Sequence, residues 1–162
     1  MRCKLTLLVA ILAVAWQTTV AMAAEPVFRG LRWGDPLEAL GEWRVVEENG
    51  PIVKVRRVNE DLALGNVRAS IIEYHFFENR LFRVMVATDD ARELEDLMRA
   101  RYGRPMASTA LLSLWYLPDQ DTMALFGTEQ GIGVMSLTSE SISHEALEWE
   151  KAQKAAEAQA AW

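Results

Sequence analysis

Apolar and polar residues alternate along IIEYHFF (71–77) and again along LFRVMVA (81–87). Successive side chains of a strand point to opposite faces, so Ile72, Tyr74 and Phe76 share one side and Glu73, His75 and Phe77 the other. In the return strand Phe82, Val84 and Val86 share a side, and Leu81, Arg83 and Met85 the opposite one. A three-residue loop at Glu78-Asn79-Arg80 sets Phe76 against Phe82, Tyr74 against Val84, Ile72 against Val86 and His75 against Arg83. A slip by one residue would put a whole apolar row into water, so the pattern selects this register. Three-residue loops favour glycine or asparagine at the left-handed position, where Arg80 would stand; a two-residue turn with a bulge gives the same facing. Either route predicts Phe76 and Phe82 inward and His75 outward beside Arg83.

The same reading extends in both directions. Trp43–Glu47 and Ile52–Val58 are strand-like runs around Glu48-Asn49-Gly50-Pro51, and Leu62–Leu64 meets the hairpin turn Gly65-Asn66. Leu111–Leu117, Thr122–Thr128 and Ile132–Thr138 form three further strands joined by short turns, which forces antiparallel neighbours. Helical spacing appears in three places. Asp35, Pro36 and Glu38 open a short helix that carries Leu37 and Leu40 and stops at Gly41. Asp90 and Glu93 form a capping-box pair before Ala91, Leu94, Leu97, Met98 and Tyr102, with Gly103 and Pro105 as the stop. Ser143 opens a last helix with a weak apolar face (Ile142, Ala146, Trp149) and an alanine-rich end expected to fray. These elements predict an α+β fold: one antiparallel sheet of hairpins and a meander, with two to three helices packed on one side. The order also admits a distant duplication of a helix-plus-meander unit, without a residue-level repeat.

The chain start changes the picture of where this domain works. Arg2 and Lys4 precede the apolar run Leu5–Trp16, and Ala21-Met22-Ala23 supplies small residues for a signal peptidase. The run falls short of the roughly 20 apolar residues a membrane span needs. Residues 1–23 are therefore expected to be a signal peptide, 24–142 a single α+β domain and 143–162 the C-terminal helix, in a periplasmic or secreted protein. Cleavage removes Cys3, the only cysteine, leaving no disulfide and no thiol chemistry. It also lowers the formal charge of −6 by a further two, so nucleic acid is not an expected partner, and no membrane span remains.

Candidate chemistry is sparse. Glu73, His75 and Arg83 compose an acid, an imidazole and a guanidinium that would serve a small hydrolase or ligand-processing enzyme, provided they line a partly dry pocket. The plain alternative is a half-buried polar strand face. Arg99, Arg101 and Arg104 cluster at the end of the second helix, where they offset its negative end or form a small anion-binding patch. His144 has no second histidine at metal-ligand spacing, so neither metal nor cofactor is expected. Gly127, Gly131 and Gly133 lack phosphate-loop spacing.

The stretch DLALGNVRASIIEYHFFENRLFRVMVATDDARELEDLMRARYGRP, with FRGLRWGDPLEAL before it, resembles small exported proteobacterial domains with an F-x-G-x-x-W-G … I-x-Y-x-F-f … L-x-x-V … Y-G-x-P pattern. The resemblance rests on core and turn residues. It implies the fold and export, and carries over no catalytic residue. The plan is also loosely similar to small envelope lipoproteins that assist outer-membrane assembly, although no lipid-bearing cysteine is present. The leading expectation is a non-enzymatic binding module of the cell envelope, with an envelope protein or a small ligand as partner. The hydrolase, and an assembly helper using the C-terminal helix, are the alternatives.

Overall fold

The computed structural model describes residues 25–160. The signal-peptide expectation, Cys3 and Trp162 lie outside that range. The strands are β1 (Trp43–Asn49), β2 (Ile52–Arg57), β3 (Ala63–Leu64), β4 (Val67–Arg68), β5 (Ile71–Phe77), β6 (Arg80–Thr88), β7 (Ala107–Ser108), β8 (Leu112–Leu117), β9 (Thr122–Glu129) and β10 (Ile132–Ser139). The helices are α1 (Ala91–Tyr102) and α2 (Glu140–Ala160), with short 3-10 turns at Leu37–Leu40 and Pro118–Gln120. Eight strands form one antiparallel sheet in the order β1-β2-β5-β6-β10-β9-β8-β7, and β3 and β4 pair as a separate small hairpin. The predicted α+β class with an antiparallel sheet is what the chain adopts.

Two meanders meet at the β6–β10 seam, where Val86 faces Met135 and Val84 faces Leu137. Each meander is followed by a helix, but the helices take one face each rather than sharing a side. Leu94 and Met98 of α1 join the large core layer built on Tyr74, Phe76, Val84, Val86, Trp115 and Phe126. Ile142 and Ala146 of α2 join a smaller layer with Ile52, Phe77 and Phe82 on the other face. A duplicated unit turned about an axis through the seam would keep its helices on one face, so the duplication reading loses its geometric support.

The β5–β6 hairpin explains why the second layer exists. Its turn has two residues, Glu78 and Asn79, both left-handed (φ 48° and 59°). Phe77 pairs with Arg80, Phe76 with Leu81 and His75 with Arg83, so Phe82 is the extra residue of a bulge. Behind the bulge the pairs Tyr74–Val84 and Ile72–Val86 form as predicted. Ahead of it the phase is inverted: Leu81 enters the main core, while Phe82 turns to the opposite face. His75 follows Phe82 there and is 4% exposed, so the outward imidazole is corrected to a buried one.

The caps also differ from expectation. Asp35 accepts the Arg32 N–H, and the amide oxygen of Asn79 accepts the Leu37 N–H (2.9 Å). Neither Asp90 nor a capping box closes α1; Thr88 Oγ1 accepts the Asp90 N–H and Glu93 accepts from Asn66. The last helix begins at Glu140, three residues before Ser143, because Ser139 Oγ accepts the Ile142 N–H. Asp121, itself left-handed (φ 48°), fixes that serine and accepts both the Ser141 N–H and its hydroxyl. Gly133 lets α1 settle on β10: a Cβ there would stand 2.6 Å from Ala91 Cα.

Candidate functional site

The acid–imidazole–guanidinium set does not assemble. Arg56 Nη2 donates to Glu73 Oε1 at 2.7 Å, and this ion pair occupies the carboxylate. His75 lies between Lys54 and Arg83 on its flanking strands and meets Phe82 edge to face (centroids 6.2 Å apart). Burial first, then the Arg83 and Lys54 charges, pull its pKa down to about 3. An imidazole this proton-poor is neutral at physiological pH, and its Nε2 is buried without a hydrogen-bond partner. Arg83 also has an unpartnered Nε; burial lowers its pKa and Glu150 of α2 raises it again. His75 and Arg83 thus pair across β5 and β6 beside the smaller core layer, and the Glu73 carboxylate is bonded to Arg56.

The three C-terminal arginines of α1 also separate. Arg99 is held by Glu95 one turn earlier (2.6 Å). Arg104 is exposed beyond Gly103. Arg101 faces a cleft of about 420 Å³, where its Nε donates to Tyr102 Oη (3.2 Å) and its guanidinium rests over the Tyr102 ring (5.5 Å to the centroid). Among the described residues no carboxylate pairs with it.

That cleft lies on the α1 face of the sheet. Its floor is Met135 and Leu137 of β10, one wall is Leu97 and Met98 of α1, and the opposite walls are the 26–30 segment and Leu64-Gly65 of the small hairpin. The 26–30 segment is fixed in place: the Val27 N–H donates to the Leu31 carbonyl (2.8 Å), Phe28 and Leu31 form an antiparallel bridge, and the Phe28 ring meets Tyr74 at 6.2 Å. Arg29 ion-pairs with Glu60 and also donates to the Ala63 carbonyl (2.8 Å), which ties the segment to the start of the hairpin. Glu60 additionally accepts from Tyr74 Oη (3.1 Å) and stands 3.7 Å from Arg57. Burial and the Glu60 charge both raise the Tyr74 pKa, so the phenol remains a donor. The cleft volume is in the range of small-ligand sites, and its walls are pre-formed.

Sequence patterning missed this cleft because its walls come from four separate elements, each of which reads as ordinary core. The one legible signal was Arg101, in the arginine cluster. A second hollow of about 430 Å³ lies between the β1–β2 turn and α2, where Trp149 covers Gly50; Glu150, Gln153, Lys154 and Glu157 line the rest. Among the described residues no group of histidine, cysteine, aspartate or glutamate could hold a metal ion, and no helix is long and apolar enough to cross a membrane. No family model, curated protein or solved structure matches the chain.

Proposed function

We propose that the protein is an exported, non-enzymatic binding module of the bacterial cell envelope and that its binding site is the cleft between α1, β10, the β3–β4 hairpin and the 26–30 segment. The observation that carries this reading is a cleft of about 420 Å³ with partly apolar walls beside a solvent-facing arginine. Export rests on the charged, apolar and small-residue succession of the first 23 residues. The resemblance to small exported proteobacterial domains belongs to the same reading.

The hydrolase alternative has less support, since Arg56 engages Glu73 and His75 is buried. The assembly-helper alternative keeps one supporting observation: α2 continues to Ala160, and every residue from 151 to 160 is exposed. The cleft is tested with a neutral apolar fluorophore, 1-N-phenylnaphthylamine. The protein should enhance its emission saturably, and Leu97→Trp, which fills the hollow, should abolish the saturable part. Equal enhancement by both proteins would place the site elsewhere.

A further inference from the structure

We infer that the cleft takes a single-chain lipid with an anionic head, a fatty-acid carboxylate, with the chain between Leu64 and Leu97 and the head at Arg101. The inference rests on the reading of the cleft as the binding site and adds the chemical class of its ligand. Three observations converge. First, none of the lining residues is acidic, whereas two, Arg29 and Arg101, are cationic. Second, among the described residues the Nη groups of Arg101 make no ion pair, so both remain for a carboxylate, while Nε is already fixed on Tyr102. Third, behind the wall two guanidiniums, Arg29 and Arg57, share one carboxylate, Glu60. This positive site lies on a chain of net charge −6, whose overall field repels anions. Local placement, not the average surface, must therefore select the head.

The walls argue for hydrocarbon over peptide. Each amide of a bound peptide needs a partner when it leaves water, and the half-buried Leu64 and Leu97 on facing walls offer none. An alkyl chain asks for no such partners. Arg101 stands at the end of α1 and is exposed on its outer side, so the carboxylate stays at the water boundary while the chain is covered.

Titration calorimetry with the purified protein tests this, using dodecanoate, dodecanol and dodecylammonium below their aggregation concentrations. Dodecanoate should bind about tenfold or more tighter than dodecanol, the scale of one charge-assisted contact. Dodecylammonium should bind weakest, against the overall acidity of the protein. Arg101→Gln should bring dodecanoate down to the dodecanol level and leave dodecanol unchanged. That exposed substitution should not alter the melting temperature, and Leu97→Trp should block all three ligands. Equal binding of alcohol and carboxylate, equal binding of ammonium and carboxylate, or an Arg101→Gln variant that still prefers dodecanoate would overturn the anionic head and leave the cleft standing. Absence of binding by any of the three chains would overturn the cleft as a lipid site altogether.

Discussion

His75 shows how one backbone irregularity changes a residue's role. Alternation alone puts the imidazole outward; the bulge at Phe82 instead brings Phe82 beside it and gives α2 an apolar surface to cover. The consequence for stability has a definite sign. The folded pKa is about 3 against 6.5 unfolded, so between these values the unfolded chain holds the extra proton. Stability is complete above pH 6.5 and falls as the pH drops towards 3, by up to about 1.4 kcal/mol per pH unit. Lys54 and Arg83 on the sheet and Glu150 on α2 are charged groups around this site, and the lowered His75 pKa sets the sign of the slope. Urea unfolding at pH 7 and pH 5 should show wild-type protein losing stability, and His75→Gln should flatten the difference. An unchanged difference in the variant would assign the slope to other groups. The pairing of His75 with Arg83 was legible in the sequence. Its burial was not, because that depends on a bulge whose position no local pattern marks.

At the level of elements, sequence patterning located every strand longer than two residues and both long helices, because alternation and 3.6-residue spacing are properties of contiguous stretches. Caps were read less well. Each predicted cap was a side chain near in sequence, whereas the structure uses Asn79 for the Leu37–Leu40 turn and Asp121 with Ser139 for α2. Asn79 lies 42 residues from Leu37 and Asp121 lies 18 from Ser139, so the sheet brings them in without a sequential signal, whereas Ser139 is a local cap three residues before Ile142. The Asp121 carboxyl reflects this function: burial acts to raise its pKa, but hydrogen bonds from Ser139 and Ser141 outweigh that and hold it below the usual value. Asp121→Ala should destabilise the fold by about 1–2 kcal/mol, through the lost anchor of a helix start and the left-handed backbone. Thermal melts check the size. Near-ultraviolet circular dichroism should show Trp33, whose Nε1 donates to Thr122, sharing the change.

Considered whole, the molecule is a sheet with two unequal cores, the larger under α1 and the smaller under the first turns of α2. The distal half of α2 contributes to neither, since residues 151–160 are exposed throughout. Deleting residues 151–162 should therefore leave the melting temperature within about 2 °C of the full chain. Deletion from Glu140 should unfold the protein by uncovering Phe77, Phe82 and His75. Crosslinking in the envelope with the shorter deletion then separates the two binding readings: loss of a captured protein would favour the assembly helper, and an unchanged pattern the cleft. The general fold was legible because layered packing follows from alternating faces. The sharing of helices between the faces was not, because it depends on the direction in which the chain leaves β10. The seam between β6 and β10 carries a last consequence. All of α1, β7, β8 and β9 lies between those two strands in the chain, so a polypeptide emerging from the ribosome can zip up β1, β2, β5 and β6 early and still lack the partner that completes either hydrophobic layer. Until the tenth strand arrives, β6 is a bare edge lined with valines, and over that interval a chaperone has most to protect.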